Sequence, residues 1–432
     1  MKSKILTLVV SLFLFGCGPS TDNESVSKDR LVIGGASGEE LADKQVFRKN
    51  NGSDPGTLDP HRAEGVPASN VLRDLYEGLV SEAANGDYIP GVAESWTISD
   101  DGKSYRFKIR DNALWSNGDR VVAEDFVFSL RRSVDPKTLS NYSSMLYPIK
   151  NARAIVLGKL SPQDLGVYSQ EERTLVIELE EPTPYFLSLL THSTTYPVHR
   201  PSVEKLGQLF TRPGNLVSNG AFKLEECRVQ SHIKIIKNEQ YWDSKNTTLE
   251  AVYNYTLDEP NSALKRYRAK ELDFTDTIPL EQLPLIKACM AKEYRVAPYF
   301  GSYYYGYNNT KAPFKNNPDL RTALNMAIDR EILVNIVIGA GQIPAYSFVP
   351  PVKTFQPVEP EWSTWSQEEK NKEALRLYEK MGYNKENPLE IEVLYNTSEN
   401  HKKVALAVAA MWKQALGVKT TLRNQEWKVF LE

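Results

Sequence analysis

The chain is poor in cysteine and has only one long apolar run. Three of its 432 residues are cysteine, namely Cys17, Cys227 and Cys289. In an exported protein Cys227 and Cys289 could pair, or both could remain as buried free thiols, and the sequence leaves both alternatives open. After residue 30 no apolar run approaches the roughly 20 residues that a membrane-spanning helix requires. The sequence therefore predicts no membrane span in this part of the chain.

An excess of positive charge is also lacking. The 52 lysines and arginines are balanced by 55 aspartates and glutamates. Proteins that bind nucleic acid need a basic patch to neutralise phosphates. We therefore exclude nucleic acid as a partner.

Motifs for catalysis or cofactor binding are missing as well. The sequence contains no Gly-Lys-Ser/Thr phosphate loop, no Gly-x-Ser-x-Gly, no Cys-x-x-Cys and no His-Glu-x-x-His. Its five histidines are scattered with no i,i+4 pair, at His61, His192, His199, His232 and His401. This pattern predicts no cofactor, no metal site and no enzymatic activity. An extracytoplasmic hydrolase remains the alternative from another functional class.

The N-terminus has the layout of an export signal. A basic start, Met1–Lys4, precedes an eleven-residue, largely apolar run from Ile5 to Phe15, and Gly16-Cys17 follows. Eleven residues are too few to span a bilayer, so residues 1–16 are predicted to be a signal peptide. Cys17 after a small residue resembles a lipoprotein processing site, which makes it the expected lipid attachment point. An ordinary signal with a chance cysteine is the alternative. Polar residues 17–30 are predicted to be a flexible tether.

One long stretch, Gly91 to Arg132, carries the clearest secondary-structure signals. Tyr105 to Arg110 is apolar at every second position, which predicts a half-buried strand. From Ala123 onward, apolar residues recur with helical spacing up to Leu130, and arginines follow at the C-terminal end. These signals predict a strand–turn–helix unit on a two-layer core.

The order of short motifs in this stretch identifies a family. Ala93-Glu-Ser-Trp96, Trp115-Ser-Asn-Gly118 and Glu124-Asp-Phe-Val-Phe-Ser129 occur in turn. This order resembles the signature of the bacterial extracytoplasmic oligopeptide- and dipeptide-binding proteins, which are the solute receptors of peptide ABC importers. Trp96, Trp115 and Phe126 are themselves expected to be core residues, so the signature indicates the fold rather than the site.

The resemblance implies an α/β, two-lobed periplasmic-binding-protein-like (type II) fold with an extra small N-terminal lobe. The last part of that fold is expected to be missing, because the family continues beyond Glu432. The missing part would carry the Arg and Asp that clamp the peptide termini, so we expect weak binding or none. The resemblance divides the chain into lobe I (31–75 and 198–300), small lobe II (76–197) and an incomplete lobe III (301–432).

Two helices are predicted from signals at their ends. Ser69 has a side chain suited to an N-cap and would start a helix that runs to Leu79. A second helix is predicted from Glu399 to Leu416, capped by Ser398 and ended by Gly417. Strands are predicted on either side of this second helix, at Leu389–Tyr395 and Val418–Leu422.

By the same resemblance, several residues are expected to contact a bound peptide. A Glu-Gly-Val strand edge would run beside the ligand, where an extended peptide pairs its main chain without its side chains being read. A tyrosine would meet the peptide backbone, a histidine would face its C-terminal part and a tryptophan would pack beside a side chain. In order, the predicted peptide-binding residues are Glu64, Gly65, Val66, Tyr142, His401 and Trp427.

Each of these residues also has a plainer interpretation. Glu64 is otherwise a solvated loop carboxylate, Tyr142 a packing residue and His401 an exposed residue of the first helical turn. The leading hypothesis is a monomeric, lipid-anchored receptor of the periplasm or cell envelope that captures short peptides for the membrane permease subunits of an ABC importer. A narrower dipeptide or cell-wall-peptide binder and a truncated fragment without binding are the alternatives.

Overall fold

The computed structural model describes residues 41–297, 299–351 and 355–431. The predicted signal peptide, the tether and Cys17 lie outside these ranges. Among the described residues, no helix combines the length and the apolar character needed to cross a bilayer.

Strands and helices both occur along the described chain. The strands are β1 Val46–Asn50, β2 Val80–Glu82, β3 Tyr88–Pro90, β4 Ala93–Ile98, β5 Ser104–Ile109, β6 Val167–Glu171, β7 Thr174–Glu178, β8 Phe222–Arg228, β9 His232–Lys237, β10 Ala251–Tyr255, β11 Glu390–Asn396 and β12 Lys419–Gln425. The helices are α1 Gly65–Leu75, α2 Ala123–Val134, α3 Ala152–Val156, α4 Phe186–Leu189, α5 Arg200–Leu206, α6 Pro260–Arg268, α7 Leu283–Cys289, α8 Pro318–Met326, α9 Arg330–Ile332, α10 Gln367–Lys380, α11 Glu399–Leu416 and α12 Trp427–Phe430.

The first four-stranded sheet has the order β1-β10-β9-β8. Strand β1 runs parallel to β10, with Val46 opposite Ala251 and Asn50 opposite Tyr255. The other neighbours in this sheet are antiparallel. The sheet therefore joins strands that are far apart in sequence, and the whole second sheet lies between them along the chain.

The second sheet, with the order β4-β5-β7-β6, is antiparallel throughout. Tyr105, Phe107 and Ile109 of β5 are buried while the residues between them are exposed, which confirms the predicted alternation. Helix α2 begins at the predicted residue and buries Phe126 and Leu130. Its Asp125 carboxylate accepts the Val122 N–H at 2.9 Å and the Trp115 indole N–H at 3.2 Å.

One continuous apolar core serves both sheets. It extends along the chain from Leu58 to Val252 and includes Trp115 and Phe126, while Trp96 packs against its edge. The three aromatic residues are thus in or against the core, as predicted. The two chain segments between the sheets also touch, since the Gly220 N–H donates to the Leu75 carbonyl at 2.9 Å. We propose this contact as the junction of lobes I and II.

A second core lies in the C-terminal part of the described chain. It includes buried residues of α8, α10 and α11, and Val393 and Tyr395 of the parallel pair β11–β12. Helix α11 has the predicted bounds, the Ser398 hydroxyl caps it and Gly417 ends it with φ +75°. The strands on either side of it are also confirmed, at Glu390–Asn396 and Lys419–Gln425.

Two local predictions were wrong. Helix α1 spans Gly65–Leu75, so Ser69 lies inside it and does not cap it, and Tyr76 has already left the helical conformation with φ −127° and ψ 154°. The bond from Gly220 to Leu75 holds the chain there and stops the helix before Leu79. Cys227 and Cys289 are exposed free thiols, so neither pairing nor burial is realised.

Candidate functional site

A cavity of about 190 Å³ opens beside the first turn of α1, and three of the predicted residues line it. Its lining is uncharged and comprises Ala63, Gly65, Val66, Ser69, Tyr142, His192 and Ser193. Gly65 and Val66 come from α1, while Tyr142 precedes a short 3₁₀ helix at Ser143–Leu146. The fold thus joins residues that are distant in sequence.

Trp427 lies directly on Gly65. A Cβ atom at position 65 would be 2.5 Å from Cζ2 of the indole, and Gly65 has φ +80°. Both the close approach and the left-handed backbone require glycine here. The predicted Trp427 is therefore brought to the predicted Gly65, next to the cavity that Gly65 lines.

Residues 64–66 do not form the predicted strand edge. Gly65 and Val66 form the first turn of α1, and Glu64 is its half-buried, extended N-cap with φ −130° and ψ 149°. The first N–H groups of a helix have no carbonyl one turn earlier to bond. The N–H groups of Gly65 and Val66, which both line the cavity, therefore have no acceptor within the helix and are main-chain donors beside the cavity, as those of a strand edge would be.

His192 is a cavity residue that the sequence reasoning did not select. Its ring meets that of Tyr142 edge-on, with centroids 4.9 Å apart. Its Nδ1 accepts the Thr194 N–H at 3.2 Å, which leaves the hydrogen of the neutral ring on Nε2. Burial lowers the pKa of His192, and the positive charge of Arg73 lowers it further. No local motif marks His192, because only the folded chain brings it to Tyr142.

His401 occupies the first turn of α11, as predicted, and is partly buried. Its Nδ1 lies 2.5 Å from Oδ1 of Asn396, and the ring of Tyr303 packs against it at a centroid distance of 5.5 Å. Burial lowers the pKa of this imidazole. His401 is therefore held on two sides by uncharged groups, which does not fit the plainer interpretation as an exposed residue.

His401 and Trp427 each lie in the first turn of a helix that follows one strand of the parallel pair β11–β12. Asn396 ends β11 and stands opposite Gln425, which ends β12. Helix α11 with His401 begins just after the first strand, and α12 with Trp427 begins just after the second. Side chains that follow the carboxyl ends of adjacent parallel strands emerge at the same edge of a sheet, which is where ligands bind in open α/β sheets.

A serine, a histidine and an aspartate do meet elsewhere in the described chain. His199 Nδ1 lies 2.8 Å from the Ser202 hydroxyl and Nε2 lies 3.0 Å from Asp119. In serine hydrolases the ring is used the other way round, with serine on Nε2 and the carboxylate on Nδ1. Here His199 is the N-cap of α5 and Ser202 lies in its first turn, so the chain of bonds fastens a helix end. The described residues contain no cluster of three or more metal-binding side chains.

Comparisons with known proteins agree with this architecture. Residues 87–432 match the model for the middle part of bacterial extracellular solute-binding proteins, family 5. The periplasmic oligopeptide-binding protein OppA of Salmonella typhimurium is 46% identical over 399 residues, which cover 91% of this chain and 73% of that protein. The periplasmic murein peptide-binding protein MppA of Escherichia coli is 41% identical over 399 residues, which cover 92% of this chain and 74% of that protein.

The fold is shared with solved structures of this kind. A crystal structure of Haemophilus influenzae OppA in complex with RPPGFSPFR superposes with a TM-score of 0.87 at 41% identity, covering 91% of this chain and 78% of that one. The structure of the murein tripeptide-binding protein MppA of Escherichia coli has the same TM-score, with 90% of this chain covered. These matches confirm the predicted α/β fold class.

Proposed function

Since the chain belongs to the bacterial extracellular solute-binding proteins of family 5, we propose that it captures short peptides outside the cytoplasm and delivers them to an ABC-type importer. Its relatives are solute-binding proteins rather than enzymes, and several of them are named for oligopeptide binding. The family places such a receptor in the periplasm, where the permease subunits of the importer would be its membrane partners.

One observation carries the proposal at the level of the site: the contact of Trp427 with Gly65 beside an uncharged cavity. An aromatic ring offers a large, rigid surface for a ligand side chain, and the first turn of α1 offers main-chain N–H donors. Tyr142 adds a second aromatic surface to the cavity lining. Such a lining suits the main chain and uncharged side chains of a peptide, because an unpaired charge there would lose its hydration without compensation.

Glu64 would serve at the rim of this site. It is half-buried and immediately precedes the helical turn that lines the cavity. As a carboxylate it accepts hydrogen bonds or pairs with a cation, so a cationic group of the ligand is its expected partner. His401, at the carboxyl end of the β11–β12 pair, would contact a more distant part of the peptide.

Isothermal titration with trialanine tests the proposal. Because weak binding is expected of this chain, the titration uses high peptide concentrations. We expect saturable binding to the parent chain and a loss of affinity of about tenfold or more in Trp427→Ala, since the ring packs on Gly65 beside the cavity. Leu209→Ala is the control, because Leu209 is an exposed residue outside the cavity lining. Absence of heat with trialanine and with a mixed tripeptide library would contradict peptide binding.

A narrower ligand is the second candidate. The murein peptide-binding protein of Escherichia coli is 41% identical to this chain, so a cell-wall peptide is a reasonable alternative ligand. Titration of dialanine, trialanine and a murein tripeptide against the same preparation separates the candidates. A preference of a hundredfold for the murein tripeptide would favour the narrower binder. Mass spectrometry of the incubated peptides would also reveal any cleavage and hence the hydrolase alternative.

Lipid anchoring at Cys17 is part of the proposal and rests on the sequence alone. A monomeric receptor tethered in this way would stay close to the importer after each release. Cys17→Ser should move the protein from the membrane fraction to the soluble fraction of fractionated cells. Equal membrane association of the variant and the parent would contradict the anchor.

A further inference from the structure

A second cavity, of about 380 Å³, opens beside the second sheet and shares no lining residue with the first cavity. Three stretches of chain line it: the 3₁₀ helix Ser143–Leu146 with the two residues that follow, the turn after β7, and α4 with the residue before it. Binding pockets for small molecules are typically about 300–1,000 Å³. The second cavity is therefore large enough for a small ligand.

Aromatic and apolar side chains form one part of this lining. Tyr147 and Tyr185 contribute rings, and Met145 and Leu189 contribute half-buried apolar side chains. Tyr185 is 61% exposed, so its ring is not a core residue and is accessible to a ligand. The guanidinium of Arg153 already lies 5.9 Å from the ring centroid of Tyr147. Tyrosine rings attract cations electrostatically, so the rings of this cavity suit a positively charged ligand.

Two carboxylates, Glu180 and Glu181, form the other part of the lining, and they differ in their partners. Lys103 pairs with Glu181 at 2.8 Å, and its ammonium also donates to the main-chain carbonyl of Glu180 at 3.1 Å. The side chain of Glu180 accepts the Asn151 N–H at 2.7 Å, and no lysine or arginine in the described part of the chain forms an ion pair with it. The lining thus offers one carboxylate that is not yet paired with a cation.

We propose that the second cavity binds a small organic cation, in which an ammonium or guanidinium group is joined to an apolar or aromatic body. The cationic group would pair with Glu180, and the body would pack on Tyr147 and Tyr185. A neutral ligand would cover the carboxylate of Glu180 without pairing with it, and an anion would be repelled. The inference goes beyond peptide capture and does not depend on it, because the two cavities have separate linings.

Phenethylamine is the probe, because it joins an ammonium group to one aromatic ring, and phenethyl alcohol is its neutral counterpart. Met145 supplies a local signal, since the chain has six methionines and Met145 lines the second cavity. In NMR of the chain labelled with ¹³C-methyl methionine, Met145→Leu assigns this signal. Met326, buried in the second core, is the internal control.

We expect phenethylamine to shift the Met145 signal saturably at neutral pH and low ionic strength, where exposed charges are least screened, while the Met326 signal stays in place. The affinity for the amine should be about tenfold higher than for the alcohol, the combined effect of one exposed ion pair and one cation–π contact. An unmoved Met145 signal, or equal affinity for the amine and the alcohol, would overturn the proposal.

Two substitutions in the lining test the assigned contacts. Glu180→Gln keeps an oxygen for the Asn151 N–H but removes the charge, so phenethylamine should bind about two- to fivefold more weakly. Tyr185→Ala removes an exposed ring and should cause a similar loss. Glu82→Gln, an exposed carboxylate on β2 outside the lining, is the matched control.

The Met326 signal also reports on folding, because a variant that keeps it at the parent position has kept the second core. Parent-like affinity for phenethylamine in Glu180→Gln or in Tyr185→Ala would show that the cation does not bind as assigned. An equal loss in Glu82→Gln would mean that overall charge, rather than the carboxylate of Glu180, attracts the amine. Either result would overturn the proposal.

Discussion

The two core regions of the molecule each contain a cationic side chain, Arg132 in the first and Lys370 in the second, and the two cations have different partners. In the first core region, residues 58–252, Arg132 makes a two-point contact with Asp59 at 2.9 and 2.6 Å. In the second, residues 320–418, buried Lys370 bonds the Tyr346 hydroxyl at 3.0 Å and the Ser363 carbonyl at 3.2 Å. The first region thus pairs a partly buried cation with a buried carboxylate, while the second surrounds a buried cation with uncharged oxygens and an aromatic ring.

A histidine joins the ion pair of Asp59 and Arg132 in the first region. His61 is buried, its Nδ1 lies 2.7 Å from Arg132 and its Nε2 bonds the Tyr196 carbonyl at 2.9 Å. Burial and the positive charge of Arg132 lower the pKa of His61 to about 4, so the ring is neutral. Burial alone would raise the pKa of Asp59, but the hydrogen bond and charge of Arg132 lower it overall. Removing the arginine would therefore strand a buried charge.

The regions also differ in the apolar surface that they expose. Around the second core, Ile343 is 84% exposed, Ile336 76% and Phe348 67%. Its described strands form only a two-stranded parallel sheet, whereas the first region holds both four-stranded sheets.

The largest expected effect is from Arg132→Met. Breaking a buried pair by removing one partner typically costs about 3–5 kcal/mol, because the remaining charge is left uncompensated. We expect the free energy of unfolding from urea titration at pH 7.5 to fall by about that amount. A loss below about 1 kcal/mol would show that the first region depends on Arg132 no more than the second region depends on Lys370.

A pH effect should come from Glu77, at the junction of the two sheets. Its carboxylate accepts from the Tyr241 hydroxyl at 2.6 Å and from the Trp242 indole at 2.7 Å. Burial raises the pKa of Glu77 to about 7, and the negative charge of Asp243 contributes to this increase. The two hydrogen bonds and the positive charge of Arg110 act in the opposite direction and lower the pKa in part.

The sign of this effect follows from the raised pKa. The folded state holds the proton of Glu77 more tightly than the unfolded chain, so the contribution of Glu77 to stability is highest at low pH and falls as pH rises from about 4.5 through 7. Glu77→Gln should remove about 2–3 kcal/mol of this decrease in urea titrations from pH 5 to 8. Glu82→Gln, an exposed carboxylate on β2, is the control. An unchanged pH slope in Glu77→Gln would refute the assignment.

Gly65→Ala tests the contact between the first region and Trp427. A left-handed backbone costs a non-glycine residue about 1–2 kcal/mol, and the new methyl group would displace the indole. We expect a comparable drop in the free energy of unfolding together with changed tryptophan fluorescence and weaker trialanine binding. Gly86→Ala is the control. Gly86 also has a left-handed backbone, with φ +83°, but an added Cβ would meet open space, so this variant should lose stability without losing binding. Equal binding losses in both variants would refute the role of the contact.

The smallest effect is expected from Lys370→Met. The lysine has no carboxylate partner in its described contacts, so its loss frees two hydrogen-bonding oxygens but strands no charge. We expect a cost of about 1 kcal/mol, the usual size of lost hydrogen bonds to neutral groups. If the cost approached that of Arg132→Met, the contrast between the two regions would not hold.

Much of the local structure could be predicted because it depends on neighbouring residues. The alternation in β5 and the helical spacing from Ala123 follow from side chains that face a core at a fixed period. Ser398 and Gly417 mark the ends of α11 because each meets a purely local requirement of a helix terminus. The motif order that identified the family is likewise readable from the chain alone.

What the sequence by itself determined is therefore the family, the fold class and the elements whose signals are local. Tertiary structure decided where α1 ends, since the bond from Gly220 to Leu75 stops it. It also decided that Trp427 packs on Gly65, that His192 contacts Tyr142, and that the side chain of Asn396 contacts His401. Periodicity and capping rules report only on residues within a turn or two of each other, whereas these contacts join segments that the folding of the sheets brings together.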